Sequence, residues 1–274
     1  MSRLAIRLEL ESALAEPLSD ALLEAGADSV DLDGDGRSIR LTALAPRDAD
    51  AAALVARAAA ATGIALPAYR AERIEDEDWV RRSQAQFGPI GISGGLWIVP
   101  SWHEAPEAAA LVVRLDPGLA FGTGSHSSTR LVLEWLVRRL RRGERVLDYG
   151  CGSGILAIAA ARLGAGEVAA VDTDPLAVET AAGNARANGV ALTVMAPGAL
   201  PAGPYDLIVA NILAAPLMAL EPEFAARTRR GGRIALSGLL EAQAEALVAA
   251  YARDFAIERG ASDGDWVLLE GVRR

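Results

Sequence analysis

Arg145-Val-Leu-Asp-Tyr-Gly-Cys-Gly-Ser-Gly154 decides the fold of this chain: an apolar strand ends in an acid and runs into glycines at every second position. Gly150, Gly152 and Gly154 lack a Cβ. The turn is therefore free to take positive φ and to let a bulky ligand lie against main-chain N–H groups at the start of the next helix. A purely structural strand-to-helix turn needs one glycine, not three. Twenty-two residues after Gly150, Asp172 closes the strand Val168-Ala-Ala-Val171, and a carboxylate at such a strand end suits the two hydroxyls of a ribose. The pair predicts a nucleoside-cofactor site in an α/β sheet.

Two cofactor classes compete for that turn. Gly152, Gly154 and Ala157 meet the G-x-G-x-x-A spacing of dinucleotide sites, but Asp148 sets a negative charge where a pyrophosphate has to lie. An acid before the glycines suits a cationic ligand better, and S-adenosylmethionine carries a sulfonium and an ammonium group. The tight G-x-G-x-G with its preceding acid is similar to the first motif of class I methyltransferases. A dehydrogenase, and a nucleotide-binding regulator without chemistry, stay as rivals from other classes.

Composition narrows the setting. The chain has 274 residues and a hydrophobic fraction of 51%, enough for two unequal units with real cores. The longest uncharged apolar run, Leu207 to Leu220, is broken by Asn211 and Pro216 and is too short for a bilayer. The N-terminus lacks the apolar region of a signal peptide, so a cytoplasmic location is expected. One cysteine, Cys151, and two histidines exclude an internal disulfide and argue against a metal site. Cys151 reads as a small residue in a tight turn. The net charge is −9 and all 27 basic residues are arginine; an acidic chain grips nucleic-acid phosphates poorly and suits a cationic protein partner.

Along the chain, residues 3–11 alternate as a strand and Ala15–Ala25 reads as a helix closed by Gly26. Strands Asp28–Leu32 and Ser38–Leu44 flank the turn Asp33-Gly-Asp-Gly36. A helix over Asp48–Ala61 and a strand over Leu66–Ile74 complete βαββαβ, the split-βαβ or ferredoxin-like order. The acidic run Glu75-Asp-Glu-Asp78 marks a boundary. The expected division is an α+β domain over 1–74, a linker helix and hairpin over 75–115, and a large domain over 116–274. Trp79, Phe87, Trp97 and Trp102 read as packing residues of the linker. Downstream come an amphipathic helix Arg130–Arg141, a helix Leu217–Arg229, a turn at Gly231-Gly232, a strand Arg233–Leu236, a helix Glu241–Tyr251 and strands near Phe255–Glu258 and Trp266–Glu270. This pattern suits a seven-stranded Rossmann-like class I methyltransferase sheet.

Leu115-Asp-Pro-Gly-Leu-Ala-Phe-Gly-Thr-Gly-Ser-His-Ser-Ser-Thr129 sharpens the reading. This stretch resembles the PrmA family of bacterial ribosomal-protein methyltransferases, which modify large-subunit ribosomal protein eleven. The resemblance continues through Val146–Ala159, Val171–Ala177, Asn184–Gly189, Tyr205–Ala214 and Leu236-Ser-Gly-Leu-Leu240, and spans roughly residues 72–274. It implies that Thr129, Gly150, Asp172 and Asn211 hold S-adenosylmethionine, with Asp148 and Gly152 in the same turn and Phe121 against the cofactor. Thr129 is expected to cap the helix after it while its hydroxyl reaches the methionine end. Asn211 ends the buried strand Leu207-Ile-Val-Ala210, and its amide oxygen is suited to accept from an amine N–H; its setting resembles the Asn-Pro-Pro-Tyr element of other amino-methylating enzymes. It is the expected catalytic residue, while His126 reads as a hydrogen-bonding loop histidine. The family's Thr-His-Pro-Thr-Thr is here Ser125-His-Ser-Ser-Thr129, and loss of the proline at Ser127 predicts a looser loop.

The resemblance further implies transfer of methyl groups to lysine ε-amines and an N-terminal α-amine of ribosomal protein eleven. It also implies that the N-terminal module recognises that protein; a monomer without direct nucleic-acid binding is expected. Methylation of lysines on a different protein is the alternative within the same fold.

Overall fold

The alternation over residues 3–11 forms strand β1 (Arg3–Glu11), with Leu4, Ile6, Leu8 and Leu10 buried. The structure is a computed structural model that describes residues 3–33, 38–74, 87–116, 124–201 and 203–274. Two units divide the chain, residues 1–86 and 87–274.

In the first unit β1 is followed by α1 (Ser12–Glu24), β2 (Ser29–Asp33), β3 (Ser38–Pro46), α2 (Ala51–Thr62) and β4 (Tyr69–Ile74). The strands form an antiparallel sheet in the order β2-β3-β1-β4. Ile6 and Leu8 pack with Leu18 and Leu22 of α1, Leu41 of β3 and Val55 of α2. Each such side chain contributes about 1.5–3 kcal/mol. A one-residue slip of β1 would turn Arg7 and Glu9 inward instead, which locks the register. Asp50 caps α2, accepting from the N–H groups of Ala52 at 2.9 Å and Ala53 at 3.2 Å. The last strand starts at Tyr69 rather than Leu66, because Pro67 has no N–H to offer a ladder. Residues 34–37, within and after the expected turn Asp33–Gly36, and residues 75–86, where the expected linker begins, lie outside the described residues.

Residues 87–115 belong to the second unit rather than to a separate linker. Here β5 (Ile90–Gly91), β6 (Leu96–Val99) and β7 (Leu111–Arg114) form a small sheet. The expected hairpin is β5–β6, and β7 adds a parallel partner to β6. Leu96, Ile98 and Val113 share a core with Leu131 and Leu136, so apolar burial ties this segment to the helix that carries those two leucines.

That helix, α3 (Ser127–Arg139), leads into a seven-stranded sheet built from β8 (Arg145–Tyr149), α4 (Ile155–Arg162), β9 (Glu167–Val171), α5 (Pro175–Ala187), β10 (Thr193–Met195), β11 (Tyr205–Asn211), α6 (Ala214–Arg227), β12 (Thr228–Leu240), α7 (Glu241–Tyr251), β13 (Phe255–Asp263) and β14 (Trp266–Arg273). The strand order is β10-β9-β8-β11-β12-β14-β13. Strands β10 to β12 run parallel, and β14 runs antiparallel to both its neighbours. Side chains alternate between two cores: Leu207 and Val209 face the one holding Leu131, and Ile208 and Ala210 face the one holding Phe224 and Tyr251. From β8 the chain winds outward through β9 and β10, then returns to β8's other side as β11 and winds away through β12. The resulting reversal of strand order opens a crevice at the carboxyl ends of β8 and β11.

Among the boundaries that differ from expectation in the second unit, two have a clear physical cause. Helix α3 starts at Ser127, three residues early, because His126 caps it: the imidazole Nδ1 accepts from the Ser128 N–H at 3.3 Å. Gly231-Gly232 is no turn between helix and strand; β12 already pairs at Thr228 with Tyr205, and the next partner of β11 is Arg233 opposite Leu207. The residues between form a bulge inside one long strand. No helix among the described residues is long and apolar enough to cross a membrane.

Candidate active site at the carboxyl end of the sheet

The glycine turn is held open by the strand beside it. Gly150, Gly152 and Gly154 have φ of 77°, 52° and 80°, values that side chains with a Cβ rarely adopt. The N–H groups of Gly150 and Cys151 both donate to the carbonyl of Val171, at 2.8 and 2.9 Å, so the turn is pinned to the end of β9. Asp172, the next residue, accepts from Gly152 N–H through Oδ2 at 2.9 Å and from Asp174 N–H through Oδ1 at 3.1 Å. Each oxygen keeps lone-pair capacity for a ligand hydroxyl.

Asp148 sits elsewhere than expected. It is fully buried beneath the turn, and its Oδ2 accepts from the Ala157 N–H at 3.0 Å, tying β8 to the first turn of α4. It does not line the cavity. Burial pushes its carboxyl up to about 7, with the charge of Asp172 adding to the rise and the Ala157 hydrogen bond opposing it. Direct contact between its carboxylate and a cationic ligand is replaced by a structural role under the backbone. Burial, then Asp148 and Asp172, also push the Cys151 thiol far above its usual range, so Cys151 stays protonated and fills the turn.

Asn211 closes β11, and its backbone pairs with Ser237 of β12. Its Nδ2 donates to the Thr129 hydroxyl at 3.0 Å. The amide is thereby fixed, and its buried Oδ1 has no hydrogen-bond partner among the described residues. Thr129 does not cap α3 as expected: His126 does, and Thr129 stands in the first helical turn, fully buried, as the partner of Asn211. The imidazole of His126 also meets the Ser128 hydroxyl at 2.7 Å and the edge of Trp266, with ring centroids 4.6 Å apart.

These elements converge on a cavity of about 550 Å³, a size usual for cofactor-sized ligands. Thr129, Gly150, Gly152, Asp172 and Asn211 all line it. Phe121 lies outside the described residues. Among the lining residues that sequence reasoning missed are Leu213, Gly238 and Trp266. Gly238 carried a signal, being the glycine of Leu236-Ser-Gly-Leu-Leu240. Its φ is 84°, and a Cβ there would fall 2.4 Å from the carbonyl oxygen of Ile212. Ile212 is seated from the other side as well, since a Cβ on Gly150 would fall 2.3 Å from its Cγ2. The two glycines thus form a slot that positions the residue next to Asn211.

The chain is similar to known proteins over almost its whole length. The family described as ribosomal protein L11 methyltransferase (PrmA) matches residues 3–274. A protein of Thiobacillus denitrificans named ribosomal protein L11 methyltransferase is 50% identical, with 98% of each chain covered. One of the same name from Neisseria gonorrhoeae is 47% identical, again over 98% of each. The crystal structure of a ribosomal protein L11 methylase from Lactobacillus delbrueckii subsp. bulgaricus is 36% identical. It superposes with a TM-score of 0.62, covering 69% of this chain and all of that one. With the glycine turn, Asp172 and Asn211 placed together in a class I methyltransferase fold and the match running almost end to end, the chain belongs to the ribosomal protein L11 methyltransferase family.

Proposed function

We propose that this chain is an S-adenosylmethionine-dependent protein N-methyltransferase acting on lysine ε-amines and the N-terminal α-amine of ribosomal protein L11. The observation that carries the reading is the unpartnered Oδ1 of Asn211 in the wall of the cavity. A buried acceptor without a donor costs about 1–3 kcal/mol, and an amine N–H removes that cost. The open glycine turn and the remaining lone pairs of Asp172 suit the nucleoside. Thr129, Gly150, Gly152, Asp172 and Asn211 are the residues we assign to holding it.

When bound, S-adenosylmethionine supplies an electrophilic methyl group to an amine lone pair. The chain's own share is to present that lone pair. Only a neutral amine has one, and at the ordinary lysine pKa of about 10.4 neutralising it at pH 7 costs roughly 4–5 kcal/mol. Apolar residues around the entrance disfavour the ammonium and lower that cost. Asn211 Oδ1 accepts an N–H of the neutral amine and turns its lone pair inward, so orientation supplies much of the acceleration.

The first unit we assign to recognising the protein substrate. Its βαββαβ order and antiparallel sheet support a ferredoxin-like reading of residues 1–74, and the second unit, residues 87–274, carries the methyltransferase site. The net charge of −9 favours a cationic protein over nucleic acid, and a ribosomal-protein substrate fits work in the cytoplasm.

The test is transfer of labelled methyl groups to purified ribosomal protein L11, with the modified amines mapped by mass. Asn211→Ala is expected to lower the rate by about 10²-fold or more, as loss of one preorganised polar contact does. Equal rates for the variant and the wild type would remove Asn211 from the chemistry. No transfer by the wild type would overturn the reading itself.

A further inference from the structure

Leu213 is the most exposed large apolar side chain among the described residues, at 70%, yet it follows Asn211 by two positions and lines the same cavity. Its position, not its exposure alone, is the informative feature: a large apolar side chain stands beside the unpartnered amide, in reach of whatever enters the cavity. Trp266 opens β14 at the same edge of the sheet and also lines the cavity. Its ring is braced by His126. Strand β12 alone separates β11 from β14, so the two backbones stand about 10 Å apart. Leu213 and Trp266 are thus two large apolar side chains from different elements that line the cavity together with Asn211.

We infer that Leu213 and Trp266 form an apolar collar that grips the methylene stem of a target lysine, delivering its ε-amine to Asn211. The inference rests on the proposed methyl transfer and names the feature that selects among amines. The Ile212 seat between Gly150 and Gly238 explains how Leu213 is held: with its neighbour clamped on both sides, Leu213 is thrown to the rim. A lysine stem offers four methylenes to such a collar. An N-terminal α-amine offers none, so the collar favours lysine and leaves the chain terminus to be held by other contacts.

The test uses two versions of ribosomal protein L11, one with an acetylated N-terminus and one with every lysine replaced by arginine, so that each reports one class of amine. Leu213→Ser is expected to lower kcat/KM for the acetylated version about tenfold, the worth of roughly two methylene contacts, and to leave the lysine-free version within twofold. Leu213→Met should restore the lysine rate. Calorimetric titration of S-adenosylmethionine should give the same Kd for all three enzymes. Equal losses on both substrates, no loss on either, or failure of methionine to rescue would overturn the collar while leaving the methyltransferase reading intact. No transfer by the wild type to either version would overturn both.

Discussion

Gly238→Ala probes how Asn211 is positioned, and its effect follows from two distances. The alanine Cβ would lie 2.4 Å from the Ile212 carbonyl oxygen and 2.8 Å from the Ile212 carbonyl carbon and nitrogen. To reach even 3.0 Å, the oxygen must retreat by 3.0 − 2.4 = 0.6 Å. The obstacle is backbone, so it cannot swing aside, and Ile212 is held by its N–H bond to Ser237 O at 3.2 Å and by its side chain over Gly150. The residue also sits at φ 84°, which costs an L-residue about 1–2 kcal/mol. Strain and displacement together should destabilise the protein by roughly 2–3 kcal/mol, a fall in Tm of about 4–10 °C at this size. Because a 1 Å misplacement can cost about 10²-fold in rate, kcat/KM should drop roughly 10- to 100-fold. Thermal unfolding and initial methylation rates, the latter taken well below the variant's Tm, check both numbers. Wild-type kcat/KM in a destabilised variant would show that the Ile212 seat does not set the position of Asn211. Unchanged stability would refute the steric argument altogether.

Two further predictions concern stability. Ser127 is the first residue of α3, a position where a proline's fixed φ suits the helix and its missing N–H is no loss; Ser127→Pro should stabilise by about 0.4–1 kcal/mol, and a lower Tm would show that the serine N–H has a partner worth more. For Asp148, folding raises the carboxyl from 3.8 to about 7, so the folded state holds the proton more tightly and the stabilisation is full at acid pH and lost as pH rises through about 7. Between pH 5 and pH 8.5 that loss should amount to about 3 kcal/mol at 1.36 kcal/mol per unit. Asp148→Asn, neutral throughout, should flatten the decline in urea unfolding at the two pH values, and identical slopes would contradict the assignment.

Local chemistry was legible wherever it needed only neighbours in the chain. The glycines of 150–154, the acid at 172 and the alternation of β1 each follow from backbone freedom or period-two burial, and these features stand where the sequence put them. Asn211 is singled out by the family resemblance and by its place as a polar residue ending an apolar strand, and it lines the cavity. What escaped depends on residues distant in sequence. Trp266 and Leu213 reach one cavity only because β14 inserts beside β12, and no local pattern marks that pairing. Asp148 was misjudged for a related reason: sequence shows an acid before glycines but not that its carboxyl turns beneath them to Ala157. Gly231-Gly232 has the composition of a turn, and only pairing with β11 reveals a bulge. His126 displaced Thr129 as the cap because an imidazole nitrogen is an uncommon acceptor at that position.

Strand β14 is made after β13 yet lies between it and β12. During synthesis, therefore, the growing sheet passes through a stage in which β12 has an open edge and its eventual neighbour is still inside the ribosome. Trp266, the first residue of that strand, is also one wall of the cavity. A nascent chain can close its glycine turn early, but it cannot finish the chamber in which catalysis would take place until the inserted strand arrives. Completion of the pocket and sealing of an aggregation-prone edge are one event, which ties competence for chemistry to safe completion of the fold.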